Sequence, residues 1–197
     1  VGGPGPRPAA FPWHTRRVEV PIEGFCEPRF EPVRDAFRTN FRERGEVGAA
    51  ITIVLGGRTV VDLVGGYADS ATDSRWTPDT LVDFYSVGKG ILSLLLLELV
   101  DRGDVELTTR VAEVWPEFAH GGKEWVTIAD ALSHRAAVPA VREALTDDDL
   151  WSWERMTGAL AATEPWWAPG ERHAYHTNTF GHLVGELVRR VSGEMPG

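Results

Sequence analysis

The sequence predicts a mixed α+β fold: a helix, then an antiparallel hairpin, then a long helical region. Three observations carry that expectation. Residues 48–64 hold two β-branched runs separated by Gly56-Gly57. Residues 86–100 form a leucine-rich helical stretch, and strand signals disappear beyond Gly103.

Each element has its own reason. Residues 1–20 open on a Gly/Pro/Ala-rich stretch, expected to be a flexible tail. Phe30, Val33, Phe37 and Phe41 recur at helical spacing, which predicts an amphipathic helix over residues 29–44, closed by Gly45. Residues 48–55 and 58–64 are the hairpin strands, with Gly56-Gly57 as a two-residue turn. A loop rich in Ser, Thr, Asp and Pro follows over residues 68–80. The helix over residues 86–100 is apolar almost all round, which predicts that it runs through the middle of a core. Residues 109–114, 127–133 and 149–162 are expected to be helices. Thr127 suits the cap of the second, and the acidic run 147–149 suits the N-terminal dipole of the third. Trp166-Trp167-Ala168-Pro169-Gly170 is a rigid aromatic turn, its indoles expected to pack it. The final helix, residues 178–191, places Phe180, Leu183, Val184, Leu187, Val188 and Val191 on one face. The domain division expected is a tail (1–20), a helix-and-hairpin part (21–85) and a helical part led by the serine-bearing helix (86–197).

Composition bounds the function. A net charge of −9 argues against a nucleic-acid phosphate backbone or an anionic membrane surface as partner. The most apolar stretch, residues 91–97 with Ser93 inside it, falls far short of the roughly 20 residues of a bilayer span. A single cysteine, Cys26, excludes an internal disulfide framework and a Cys-rich zinc site. A soluble, cytoplasmic protein is expected, with a secreted or periplasmic one as the alternative because the chain begins at Val1 without Met.

The chemistry is expected at Ser86-Val87-Gly88-Lys89. Residues i and i+3 share a helix face, so the Lys89 amine can reach the Ser86 hydroxyl. A helix N-terminus beside the serine offers free backbone N–H groups and the positive end of the dipole to a developing oxyanion. Dipole and leucine-rich surroundings both disfavour a charged ammonium, which suits a base. Gly88 and Gly90 each cost a helix about 1 kcal/mol, which points to close packing or to room for a substrate.

A second segment, residues 169–181, leads into the last helix and contains Tyr175-His176-Thr177. With Leu132-Ser133-His134-Arg135-Ala136 and the run Phe180-Gly181-His182-Leu183-Val184-Gly185-Glu186, the chain resembles one family over about residues 30–193. That family comprises the class C serine β-lactamases, the DD-peptidases and the carboxylesterases of β-lactamase fold. The resemblance implies an antiparallel sheet with flanking helices plus an all-helical subdomain. It also implies Ser86 as acylated nucleophile, Lys89 as its base partner and Tyr175 as second base, with no metal or organic cofactor.

One departure bears on substrate. The family's Asn two residues after the Tyr is Thr177 here: an amide offers a donor and an acceptor on separate atoms, and a hydroxyl is shorter. The change favours the esterase branch, with Thr177 as the substrate-binding residue and a small-molecule ester or amide as substrate, the ester first. The alternatives are a β-lactamase or D-amino-acid peptidase, and a non-catalytic penicillin- or peptidoglycan-binding homologue.

Other candidates are weaker. His173 and His176 form a His-x-x-His pair without a further ligand at zincin spacing, so no metal site is expected. His134 is expected simply to pack. No Gly-x-Ser-x-Gly elbow is present, which removes the α/β-hydrolase route. In the family, further strands follow the region equivalent to Gly197, and one carries a Lys-Thr-Gly-type motif. No Lys-Thr-Gly occurs here and no strand-like run follows Tyr175, so the chain is expected to be the N-terminal and helical part of a longer enzyme, with its hairpin edge left open.

Overall fold

The computed structural model describes residues 20–69 and 71–196. The expected tail lies almost wholly outside them. The chain divides between Val82 and Asp83 into two compact units.

The first unit is a small antiparallel sheet with a helix. Strand β1 (Ile22–Cys26), helix α1 (Glu31–Glu43), β2 (Gly48–Leu55), β3 (Arg58–Asp69) and the two-residue β4 (Ser74–Arg75) follow one another. The sheet order is β1-β3-β2, with β4 also pairing to β3. The hairpin forms as expected, its turn closed by Gly56 and Gly57, both at positive φ. The long central strand supplies the core residues Val60, Val61 and Leu63. Phe37 and Phe41 of α1 pack into them, their rings edge to face at 5.2 Å.

Three corrections apply to this unit. The sheet has four strands rather than the hairpin's two. The strand β1 was not expected because Gly24 interrupts its alternation. That glycine is required: its φ is +111°, and a Cβ there would lie 2.1 Å from the Asp62 carbonyl oxygen across the pair. Strand β3 runs past residue 64 to Asp69, and β4 lies inside the expected loop. The inner edge of the hairpin is therefore taken by β1, while the outer edge of β2 pairs with no strand among the described residues.

The second unit is helical: α2 (Gly88–Asp101), α3 (Val111–Val114), α4 (Ile128–Leu132), α5 (Asp147–Trp151), α6 (Trp153–Ala162) and α7 (Thr179–Ser192). Helices α2 and α7 pack together over a core that includes Leu96, Leu99, Trp115, Phe118, Leu160, Phe180, Leu183 and Leu187. Thr127 caps α4 in a reciprocal box with Asp130. The acidic run lies in the first turn of α5, which Thr146 caps.

The sequence-based helices are trimmed by identifiable interactions. Residues 109–110 are not helical because Arg110 bridges to Thr127 in extended conformation, leaving only Val111–Val114 as α3. The helix expected over 149–162 breaks at Ser152, which is extended and turns its hydroxyl to accept the Arg155 N–H, so starting α6. Within the helical unit, α2 packs Leu96 and Leu99 into the core against α7, while Ile91 and Leu94 stand outside that contact, 64% and 66% exposed.

A buried lysine ties this unit together. The Lys123 ammonium is fully buried and donates to the carbonyls of His120 (2.7 Å), Ala161 (3.2 Å) and Thr163. Its three hydrogens thus meet three carbonyl oxygens. No helix of the described residues is long and apolar enough to cross a membrane.

Candidate active site

Ser86 sits within a 3-10 turn, Tyr85–Val87, that leads directly into α2. It therefore precedes the α-helix rather than belonging to its first turn. The turn is set by Asp83, whose carboxylate accepts the Tyr85 N–H at 2.8 Å. Tyr85 is left-handed, at φ 48°, an unfavourable conformation for a bulky residue immediately before the serine. Ser86 is exposed and Lys89 half-buried. Lys89 Nζ donates to Ser86 Oγ at 3.1 Å. The space beside Gly88 and Gly90 is open, so neither glycine is held by close packing.

Tyr175 lies on the irregular segment between the Pro169-Gly170 turn and α7, half-exposed. The Lys89 ammonium stands 5.0 Å from the centre of its ring. The Ser86 hydroxyl holds the Tyr175 phenol below its ordinary value, desolvation opposes it, and the Lys89 ammonium adds to the lowering. Ser86, Lys89 and Tyr175 are thus brought together from two distant stretches of chain.

Thr177 is exposed and meets Tyr175 only through the backbone, its N–H donating to the Tyr175 carbonyl at 3.1 Å. The His-x-x-His pair is not a metal site. His176 is fully buried with both ring nitrogens engaged: Nδ1 donates to the Ala174 carbonyl at 2.6 Å, and Nε2 accepts the Val138 N–H at 3.1 Å. Burial pushes His176 down to about 4, so it is neutral at pH 7. Trp166 is 46% exposed and ties the turn to a facing loop, its indole N–H donating to the Ala140 carbonyl at 2.8 Å.

Sequence reasoning missed two contributors. Asp83 had a local signal, an Asx residue two places before Tyr85. His134 had only a place in a motif. Its ring lies 4.8 Å from that of Tyr175, and burial holds its imidazole below the ordinary value, with His173 and Lys89 adding to the effect.

A separate open groove of about 620 Å³ runs beside α6 and α7, lined by Trp115, Trp153 and Glu186 among others, and none of Ser86, Lys89 and Tyr175 borders it. Its buried acid is fully occupied. Glu186 accepts from Trp153 Nε1, Arg189 and Arg190 at 2.6 to 2.8 Å. Burial alone would raise its carboxyl, but these donors bring it down to about 2.

Comparison with known proteins gives a consistent result. The profile of the Beta-lactamase family matches residues 33–196. The chain is 37% identical over 173 residues to the esterase/beta-lactamase LipL of Mycobacterium tuberculosis, covering 88% of this chain and 40% of that protein. Among solved structures it resembles a family VIII carboxylesterase, at 42% identity and a TM-score of 0.82, covering 90% of this chain and 48% of the other. A penicillin-binding protein homolog from Caulobacter crescentus is similar at 40% identity and a TM-score of 0.84, with the same coverage of 90% and 48%. The chain therefore spans less than half the length of these relatives.

Proposed function

Since the chain belongs to the Beta-lactamase family, we propose that it carries the acylating residues of a serine hydrolase acting on carboxylic esters. The observation that carries this reading is the contact of Lys89 Nζ with Ser86 Oγ at 3.1 Å, with the Tyr175 ring against the same ammonium. In the resting arrangement the lysine donates. With the amine in its free-base form the same contact reverses, and the Ser86 proton moves to nitrogen as the oxygen attacks the ester carbonyl. Tyr175, lowered by its neighbours, is placed to pass that proton to the departing alkoxide. An acyl-Ser86 ester and free alcohol result, and water then releases the acid and regenerates Ser86.

Esters are favoured over amides by Thr177. A hydroxyl donor is enough for an ester carbonyl. A side-chain amide presents its N–H and C=O apart, which the two ends of a carboxamide can meet at once, whereas the threonine hydroxyl is shorter and carries its donor and acceptor on one atom. The relatives also support esters, since one is an esterase/beta-lactamase and another a family VIII carboxylesterase. The penicillin-binding relative makes penicillin the necessary control.

The test is a chromogenic short-chain ester, a cephalosporin and a fluorescent penicillin on one sample, with mass spectrometry after fluorophosphonate treatment. Ester turnover and label on Ser86, lost in Ser86→Ala, is the expected result. Cephalosporin turnover exceeding ester turnover moves the assignment to amide chemistry. Penicillin retained without any turnover makes the protein a binder. Label on another serine removes Ser86 from the role.

A further inference from the structure

The segment bearing Tyr175 has no regular secondary structure to hold it: residues 172–176 belong to no helix or strand. Backbone of this kind needs partners from elsewhere if a side chain on it is to keep one position. For the two residues flanking Tyr175, the partner is a single residue. The His134 carbonyl accepts the Ala174 N–H at 3.3 Å, and His134 Nδ1 accepts the His176 N–H at 3.1 Å. Between these two bonds the His134 ring lies against the Tyr175 ring, 4.8 Å between centres at 50°. We propose that His134 is the positioning residue for Tyr175, gripping the chain on either side of it through its carbonyl and Nδ1 and so setting the phenol beside Ser86 and Lys89.

Two features separate this from ordinary packing. A residue that merely fills space has no need of a particular ring nitrogen, whereas here Nδ1 must be unprotonated to accept, which fixes the tautomer with hydrogen on Nε2. His134 is also left-handed, at φ 62°. That conformation is uncommon outside glycine and Asn, Asp or His, and here it accompanies a residue whose carbonyl and side chain both serve the facing segment. The neighbouring scaffold extends the pattern. Arg135, Ala137 and Val138 accept from or donate to Gly170, Trp166, His176 and Thr179 in turn, and the bonds nearest the phenol are those of His134. The titratable groups facing the imidazole are Tyr175, His173, His176 and Lys89, and the apolar Phe180 ring lies 4.8 Å from it between centres.

The proposal rests on the functional reading of Tyr175, but its test does not. The chain has three tyrosines, and near-ultraviolet absorbance follows phenol ionisation in the full chain. The wave lost in Tyr175→Phe is that of Tyr175. Two substitutions at position 134 tolerate the left-handed backbone. His134→Asn keeps an acceptor on the δ atom, and His134→Gly removes it. In a folded His134→Gly protein the early Tyr175 wave should be lost, its midpoint returning to that of the urea-unfolded chain. In His134→Asn it should stay with the parent. An unchanged wave in His134→Gly overturns the assignment. So does loss of the wave in a folded His134→Asn protein, which also decides the matter if His134→Gly does not fold. Fluorophosphonate labelling is read separately. A parent whose Ser86 never labels, with titrations that follow the expected pattern, removes the hydrolase reading and leaves His134 as the residue that places Tyr175.

Discussion

Ser86 and Lys89 meet across a change of helix type: the serine lies in a 3-10 turn and the lysine in the first turn of α2, with 3.1 Å between Oγ and Nζ. In a regular α-helix, residues three apart are offset by about 60° around the axis. In a 3-10 turn they eclipse. The tighter start therefore swings Ser86 toward the lysine, and the tightening is held by Asp83 and by Tyr85 in its left-handed conformation.

Lys89→Arg should be nearly as damaging as Lys89→Ala in this arrangement. A guanidinium keeps the charge but cannot give up its proton in a protein, so it cannot take one from Ser86. Ester turnover is expected to fall at least ~100-fold in both, the lower range for loss of a general base. Steady-state rates check it, and an arginine variant within tenfold of the parent would reduce Lys89 to an electrostatic role.

The turn before the serine makes its own prediction. Tyr85→Asn accepts the left-handed backbone and should leave stability nearly unchanged, whereas Tyr85→Val should cost at least ~1 kcal/mol because β-branching conflicts with positive φ. Urea unfolding of the two variants measures the difference. Equal midpoints would mean that the turn relaxes freely and stores no strain.

His176 predicts how stability depends on pH. Its folded value of about 4 lies below the ordinary 6.5. An unfolded chain takes up the proton as pH falls below 6.5, while the folded chain refuses it until about 4. Its contribution is thus complete above 6.5 and is lost as pH falls from there toward 4. The loss is on the order of 3 kcal/mol at most, at ~1.4 kcal/mol for each pH unit. Urea midpoints at pH 7.5 and 5 should differ in the parent and converge in His176→Gln, which does not titrate. The same slope in both proteins would assign the effect to other groups, His134 first among them.

Lys123→Met should destabilise the helical unit by about 3 kcal/mol, because it leaves the carbonyls of His120, Ala161 and Thr163 without their common donor in a buried place. Chemical denaturation tests it. A loss below ~1 kcal/mol would show that water takes over all three acceptors.

What could be anticipated from residues alone followed how local each cause is. Phe37 and Phe41, the glycine turn and Thr127 act within a few positions, and their elements form where expected. The pairing of Ser86 with Lys89 is equally local. Strand β1 depends on β3, forty residues on, to accept a strand with glycine at its centre, and no window around Gly24 contains that information. The break at Ser152 is local in origin but hidden, because serine is tolerated in a helix and acts here as a cap instead. On α2, Ile91 and Leu94 are as apolar as Leu96, and only the direction of α7 decides which of them that contact buries. His134 was invisible as a functional residue for the same reason, since its partners lie forty residues away.

The carbonyl cage around Lys123 has an experimental use. The chain has two lysine side chains: one half-buried beside Ser86, the other sealed from solvent. An amine-acylating reagent added under native conditions therefore meets them in very different states. Modification of Lys123 must wait for the segments bearing Ala161 and Thr163 to part from it, and its rate, read by peptide mass, clocks the transient opening of the helical unit without any introduced probe.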